Sequence, residues 1–205
     1  MPVRLANPRQ LALLESYQRA VELGQLEGYR KRRWRRAEEF ANWLTPTALP
    51  SLSMQQALAL YRASGGNRSG EFKTNAIEEI RDSLDFLLYD TIKLEGRFDE
   101  CVSDEGAYRL SGAGKEFMSY LLCLRDSTLF AIWNTHAERA LRWWGLYPET
   151  LKKGPLGIRY LDFLDALQRL RQQLGLADFR LVDEFAYYIR EARHDMAGYP
   201  ASPGG

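Results

Sequence analysis

Hydrophobic side chains recur every three or four residues along most of this chain, and that spacing places them on one face of an α-helix. The spacing predicts helices over residues 8–21 and 26–44, and a shorter helix that Ser51 or Ser53 can cap. The clearest helix begins at Asn75. Its apolar stripe is formed by Ile77, Ile80, Leu84, Leu87, Leu88 and Ile92.

The C-terminal half shows the same helical spacing between glycine-containing breaks. An apolar helix should follow Gly114 and end near Leu124, another should cover residues 135–144, and two more should follow Gly157. In the last of these helices, Asp183 has the position of an N-cap. The whole chain is therefore predicted to be a series of amphipathic helices.

No segment alternates between apolar and polar residues over the length of a β-strand, so the predicted fold class is all-α. We expect loops over residues 64–70 and 96–106, where glycine interrupts the helical spacing. The length suits one helical domain of two lobes over residues 1–195. The glycine- and proline-rich residues 196–205 should form a disordered tail.

The composition is that of a folded, globular protein and does not indicate a binding partner. Charged residues make up 27% and apolar residues 45% of the sequence, as in ordinary folded domains, and no apolar run is long enough to cross a bilayer. Because the start of the chain lacks the layout of a secretory signal, we expect a cytoplasmic protein without a membrane partner. Cys101 and Cys123 should be reduced, and no Cys or His stands at metal-ligand spacing to them, so neither a metal nor another cofactor is expected.

The net charge of +1 gives no overall attraction to nucleic acid, so any such interaction depends on local charge. Residues 30–36 hold six basic side chains in seven, and we take Arg32 and Arg33 from this run as DNA contacts. A solvated helix face paired with Glu38 and Glu39 is the alternative interpretation.

A tight turn is predicted over residues 110–115, Leu-Ser-Gly-Ala-Gly-Lys, directly before a helix. Backbone N–H groups at Gly112 and Gly114, with the helix N-terminus behind them, can bind a phosphate, and Lys115 adds a positive charge. Small residues before a helix also form purely structural turns. The turn alone therefore leaves DNA binding and a structural role open.

Residues 130–146 follow this turn with the sequence Phe-Ala-Ile-Trp-Asn-Thr-His-Ala-Glu-Arg-Ala-Leu-Arg-Trp-Trp-Gly-Leu. In order and spacing, residues 108–147 resemble the helix-hairpin-helix DNA glycosylases, the superfamily that includes endonuclease III and the adenine and 8-oxoguanine glycosylases. The resemblance implies that the glycine turn contacts the DNA backbone, with Arg139 on the helix that follows. The cysteine cluster that binds iron and sulfur in the superfamily is missing.

Two positions depart from the pattern of that superfamily. Glu116 stands where its catalytic lysine stands, and Asn134, eighteen residues later, stands where its catalytic aspartate stands. A carboxylate cannot form the Schiff base that lysine forms with the sugar, so no lyase activity is expected. Asn134 can orient a water, and Glu116 could supply negative charge beside the sugar, which makes both our candidates for catalysis. Asp183 is a reserve candidate for the missing carboxylate.

Two neighbours of Asn134 are candidates for contact with the substrate base. Trp133 offers an aromatic face on which an extruded base could stack, with a place in the hydrophobic core as the alternative. His136 stands at a position of the superfamily motif, and a role as a helix-cap partner is its alternative.

The same region also resembles the N-terminal domains of some modification-dependent restriction and phage-defence proteins, in which an apolar-Trp-Asn segment follows a glycine-rich hairpin. The sequence therefore predicts a monofunctional glycosylase that flips and excises a modified or damaged base of double-stranded DNA, such as a hypermodified cytosine of phage DNA. The alternative is a catalytically inactive reader of modified DNA that recruits a restriction effector protein. A helical protein-interaction domain without DNA affinity is a third hypothesis.

Overall fold

The computed structural model describes residues 7–197, except for the side chains of residues 150, 152 and 193–197, and all regular structure in that range is helical. The helices are α1 (Pro8–Glu22), α2 (Glu27–Arg33), α3 (Ala37–Trp43), α4 (Met54–Ala63), α5 (Ser69–Phe72), α6 (Ile77–Tyr89), α7 (Leu94–Val102), α8 (Lys115–Arg125), α9 (Thr135–Trp144), α10 (Leu156–Leu174) and α11 (Phe179–Ala197). Short 3-10 turns lie at Leu49–Ser51 and Glu149–Lys152. The predicted tail, residues 196–205, lies outside the described residues from 198 onward.

Helix α8 lies at the centre of the fold. Every residue from 117 to 124 is buried, and helices α3, α6 and α7 pack against α8. Helix α7 in turn packs along α10, and α9 packs along α11. The backbones of α7 and α10 approach so closely that a Cβ atom at Gly157 would lie 1.7 Å from the carbonyl oxygen of Glu95. The two helices can approach this closely because the residue at the start of α10 is glycine, which has no Cβ atom.

The all-α prediction is confirmed for the described residues, and several helices begin and end close to their predicted bounds. Helices α1, α8 and α9 show the closest agreement. Of the two serines considered as caps for α4, Ser53 is the N-cap, because its hydroxyl accepts from the Gln56 N–H at 3.2 Å while the Gln56 side chain accepts from the Ser53 N–H. Reciprocal bonding of this kind satisfies two backbone donors at once.

The prediction of one helix over residues 26–44 is wrong, because the chain breaks between α2 and α3. The carbonyl oxygen of Arg33 accepts a hydrogen bond from the Tyr120 hydroxyl at 2.7 Å, while the Ala37 N–H bonds to the carbonyl of Trp34 instead. A residue far away in sequence thus takes the acceptor that a continuous helix would need. The break divides the basic run 30–36 between two helices.

The predicted loop over residues 96–106 is also wrong, because α7 continues to Val102 and buries Phe98 and Cys101. The predicted loop over residues 64–70 includes the start of α5. Ile92, the last residue of the apolar stripe predicted for α6, lies beyond the C-terminal end of that helix and is exposed. These errors arise where a short helix begins without a strong capping residue.

Asp183 is not the N-cap of the last helix. It lies within α11, whose first turn is instead capped by Asp178, since Oδ1 of Asp178 accepts from the Leu181 N–H at 3.1 Å. Asp183 is buried. A carboxylate in the interior requires strong partners, and these lie in the candidate site described below.

The glycine turn before α8 is bound to the rest of the protein from three sides. Asn75 accepts from the Ser111 N–H at 2.9 Å, Glu71 accepts from the Gly112 N–H at 3.1 Å, and the Tyr61 hydroxyl donates to the Gly112 carbonyl at 2.7 Å. The Gly112 N–H, which was expected to face a phosphate, is therefore used inside the protein. Gly114 remains as the N-cap of α8, without a side-chain cap.

Gly112→Ala should destabilise the fold by about 2–4 kcal/mol, because strain at positive φ of about 1–3 kcal/mol adds to a steric overlap. Gly112 has φ +75°, and a Cβ there would lie 2.8 Å from the backbone nitrogen of Phe72. Gly114→Ala is the matched control, since Gly114 has φ −150° and open space around its Cβ position. The control should lose less than about 1 kcal/mol, and equal losses in urea denaturation of the two variants would contradict this account of the turn.

Candidate functional site

Asn134 lies at the N-terminus of α9. Its backbone is extended, with φ −138° and ψ 176°, and its Oδ1 accepts a hydrogen bond from the Ala137 N–H at 2.9 Å. Asparagine is among the preferred residues for this N-cap geometry. Because Oδ1 is occupied as the cap acceptor, the Asn134 Nδ2 group is left to donate elsewhere.

Glu116 lies in the first turn of α8 and contacts Asn134. Its Oε1 accepts from Asn134 Nδ2 at 3.4 Å and from the guanidinium of Arg33 at 3.0 Å. The Glu116 side chain is 38% exposed, and its Oε2 has no hydrogen-bond donor among residues 7–197 as described. One carboxylate oxygen is therefore free for a ligand or a water.

Asp183 of α11 holds the buried side of the site together. Its Oδ1 accepts from Asn134 Nδ2 and from His136 Nε2, both at 3.1 Å, and its Oδ2 accepts from the Tyr29 hydroxyl. Arg33 Nε lies 2.9 Å from Oδ2 as an ion pair, although its N–H is not aligned for a hydrogen bond. The proton of His136 is assigned to Nε2, because an ionised carboxylate can only accept.

The network gives a physical reason for asparagine at position 134. Its Nδ2 group lies between the carboxylates of Asp183 and Glu116 and donates to both. An aspartate there would add a third carboxylate to a group in which Arg33 is the one arginine that contacts both acids. Asparagine at position 134 therefore suits the position of Asp183.

The pKa of Asp183 is a consequence of the same contacts. Burial alone would raise this pKa, but the Arg33 guanidinium and the hydrogen bonds from His136 and Tyr29 outweigh burial and hold it well below its ordinary range. A depressed folded-state pKa stabilises the fold above the unfolded value of about 3.9, and this contribution is lost as the pH falls through the folded value.

We therefore expect the stability difference between the wild type and Asp183→Asn to be constant above about pH 5 and to shrink below about pH 4. Urea denaturation of both proteins at a series of pH values measures this difference. Asp165→Asn is the control, since Asp165 forms an exposed ion pair with Arg169 and its replacement should change little at any pH. A wild-type advantage that persists undiminished at about pH 3 would show that Asp183 is not held ionised in the fold.

The network lies against an open cavity of about 420 Å³. Its lining includes Tyr29, Arg33, Glu116, Asn134 and His136. Cavities that hold small ligands measure roughly 300–1,000 Å³, so this one has room for a single small group. Asn134 is itself buried, but it forms part of the cavity lining and is not enclosed in solid core.

Three arginines from three helices also line this cavity, namely Arg32 of α2, Arg62 of α4 and Arg190 of α11. Arg32 and Arg62 are exposed and form no ion pair within the described part of the chain. Arg190 is half-buried and paired with Glu191. The solvent-facing side of the cavity is therefore positively charged, which favours an anionic group such as a phosphate.

A second pocket of about 260 Å³ lies directly beside the cavity. It is lined by the glycine turn, including Gly114 and Lys115, and it shares Gly65, Gly66 and Glu116 with the cavity. The N-terminus of α8 lies at this pocket without a side-chain cap, so its first N–H groups favour an anion. The cavity and the second pocket therefore meet at Glu116.

Trp133 does not have the position that its sequence suggests. It is fully buried, with Phe98, Tyr160 and Phe163 stacked around it, and it lines neither the cavity nor the second pocket. Its Nε1 donates to Glu138 at 2.8 Å. Trp133 is therefore a core residue, and a base cannot stack on it without opening the core.

The predicted DNA contacts have different surroundings. Arg33 is only 5% exposed and is paired with Glu116 and Asp183, so it supports the site and does not offer a free charge at the surface. Arg32 lines the cavity. Lys115 is bound to Glu138 at 2.9 Å, and Arg139 is exposed on α9 one turn after Thr135, which lines the cavity.

The lining residues Tyr29, Arg62, Tyr187 and Arg190 were not predicted from the sequence, whereas Asp183, which is buried and not part of the lining, was a reserve candidate. Asp183, Tyr187 and Arg190 follow one another at steps of four and three in α11, so they lie on one face of that helix. A polar stripe of this kind within an apolar helix was the available signal. Tyr29 and Arg62 had no comparable signal, because their places depend on contacts with residues distant in sequence.

Among the described residues, no helix is long and apolar enough to cross a membrane. Within the same part of the chain, no group of three or more His, Cys, Asp and Glu side chains is arranged to hold a metal ion. The chain matches no family model, no curated protein and no solved structure.

Proposed function

We propose that this protein is a DNA glycosylase of the helix-hairpin-helix kind, which flips a modified base out of double-stranded DNA and hydrolyses its N-glycosidic bond. The observation that supports the proposal most strongly is the position of Glu116, an acidic residue common to the cavity and to the pocket beside it. In a nucleotide the sugar lies between the phosphate and the base. With a phosphate at the glycine turn and the base in the cavity, Glu116 lies beside the sugar.

The proposed reaction breaks the bond between C1′ of the sugar and the base nitrogen. The electron pair leaves with the base, and a water adds to C1′ after losing a proton. The free Oε2 of Glu116 can stabilise the positive charge that develops on the sugar and accept the proton of the water. Arg33 and Asn134 hold Oε1 and so keep the carboxylate in place.

The surroundings of Lys115 support a monofunctional enzyme. Its Nζ lies 2.9 Å from Glu138 and 4.4 Å from the centre of the Trp133 ring, and Lys115 does not line the cavity. An amine must reach C1′ to form a Schiff base and nick the strand. The expected product is therefore an abasic site in an unbroken strand.

The lining of the cavity bears on the class of base. Apart from Tyr29 and Tyr187, it is formed mainly by arginines, Glu116, Asn134, His136 and glycine backbone. A base with a polar substituent offers these groups additional hydrogen-bond partners. We propose a hypermodified cytosine, as found in phage DNA, as the substrate.

Incubation with modified DNA followed by alkali tests the proposal. Purified protein is mixed with ordinary DNA and with DNA from a phage that carries modified cytosines, and strand breaks are counted after alkaline treatment. Breaks in the modified DNA alone support the glycosylase. Breaks in neither DNA, with no release of free base, reject it.

A reader of modified DNA is the second candidate function. One observation favours it, since Asn134 Nδ2 already donates to two carboxylates and Glu116 is already paired with Arg33. A reader would retain modified DNA without producing alkali-labile sites. The same incubation, read by gel shift before the alkali step, separates the two functions.

Arg32→Ala and Arg62→Ala should each weaken DNA binding and reduce the slope of log affinity against log salt by about 1, since each arginine is expected to neutralise one phosphate. Arg36→Ala is the control. Arg36 belongs to the same basic run, but it is bound to Glu39 at 2.6 Å and does not line the cavity. Equal slopes for all three variants, measured by fluorescence anisotropy, would place the DNA elsewhere on the protein.

A further inference from the structure

A groove of about 800 Å³ lies between α2 and the start of α11, on a surface that shares no lining residue with the cavity. Trp34, Ala177 and Leu181 give it an apolar lining, to which Gly28 adds an open stretch of backbone. Trp34 is half-buried, and Ala177 is exposed. The proposed glycosylase reaction makes no use of this groove.

Two of the acidic side chains that line the groove are paired within the protein, which leaves basic side chains of the lining without a partner. Glu184 Oε1 accepts a hydrogen bond from Arg30 Nη2 at 2.8 Å and another from the Tyr17 hydroxyl at 2.7 Å. Asp178 accepts from Ser127 at 3.0 Å and caps α11. Glu184 and Asp178 are thus occupied within the protein, whereas Glu27, the third acidic residue of the lining, is largely exposed and lies 3.7 Å from Arg30.

Three of the four basic side chains at the groove lack such partners. Lys31, Arg35 and Arg180 line it, and none of them forms an ion pair with any residue that the structure describes. The Nε–H group of Arg180 and the indole Nε1–H group of Trp34 are both buried without a hydrogen-bond acceptor. A ligand that brings negative charge and acceptor oxygens complements this surface.

We propose that this groove binds an acidic segment of a partner protein, with a large apolar side chain of that segment packed against Trp34 and Leu181. Carboxylates of the segment pair with Lys31, Arg35 and Arg180. A DNA duplex offers negative charge but no apolar side chain for the lining. The groove is therefore assigned to protein recognition and the cavity to DNA.

Peptide selection on the full chain tests the proposal. A library of random 12-residue peptides is selected for binding, with counter-selection on Ala177→Trp, in which a large side chain fills the groove. Because Ala177 is exposed, this variant should keep the helical circular dichroism of the wild type. The expected winners carry Asp or Glu around a large apolar residue and bind the wild type at least about tenfold more tightly than the filled variant.

Charge reversal gives a second readout with the selected peptides. Lys31→Glu combined with Arg35→Glu should raise their Kd at least about tenfold, whereas Lys153→Glu, at an exposed lysine outside the groove, should leave it within about twofold. Three results would overturn the proposal: no enrichment over the filled variant, winners without acidic residues, or complete displacement of the peptides by unmodified duplex DNA. The last result would assign the groove to nucleic acid.

Discussion

Replacing Arg33 by methionine should lower the free energy of unfolding by about 3–5 kcal/mol, the range for breaking a buried ion pair by removing one partner. Arg33 is 5% exposed, and its guanidinium contacts the carboxylates of Asp183 and Glu116 and the carbonyl of Ser64. Methionine retains much of the apolar stem but leaves Asp183, which is fully buried, without its positive partner. The uncompensated carboxylate is the main source of the loss.

Urea denaturation of Arg33→Met and of Arg36→Met measures the effect. Arg36 stands three residues away but is half-exposed, and its guanidinium pairs with Glu39 and lies over the rings of Phe40 and Trp43, so its replacement should lose less than about 1 kcal/mol. A double variant, Arg33→Met with Asp183→Asn, removes both charges and should recover part of the stability. A double variant that loses the sum of both single losses would mean that the two side chains do not act as a pair.

Local patterns predicted the helices where neighbouring residues decide the conformation. The N-cap and the apolar spacing of α9 both lie within the segment itself, so its bounds could be predicted from the sequence. The break after Arg33 could not, because it depends on a hydrogen bond from Tyr120, which is 87 residues away. Tertiary contacts of this kind override local helix propensity.

The candidate site, like the fold, could be predicted from the sequence only in part. The resemblance to the glycosylases implied that Glu116 and Asn134 share a site, and the two side chains do meet at 3.4 Å. Trp133 was a candidate for base stacking because it is next to Asn134 in sequence, but its side chain lies in the core, which was the alternative interpretation. Asp183 reaches the site from the last long helix, and no local pattern in that helix specifies which residues it will contact.

Glu116→Gln should reduce base excision by about 10²–10⁴-fold, the usual contribution of a positioned acid or base, while DNA binding stays within about threefold. Glutamine keeps an oxygen that can accept from Arg33 and Asn134, so the network around Asp183 should persist. It cannot accept a proton from water or oppose the positive charge on the sugar. Excision is measured in single turnover as alkali-labile sites in modified DNA, and binding is measured by fluorescence anisotropy.

Glu71→Gln is the matched control, since Glu71 accepts from Gly112 at the same glycine turn but lines neither the cavity nor the second pocket. Its excision rate should stay close to that of the wild type.

Asn134→Ala should abolish breaks too, but it also removes the cap of α9 and is expected to cost about 1 kcal/mol of stability. Glu116→Gln separates chemistry from folding more cleanly, because the Glu116 side chain is partly exposed. Undiminished excision by that variant would remove the carboxylate from the reaction and leave the cavity without a residue to support the charge on the sugar.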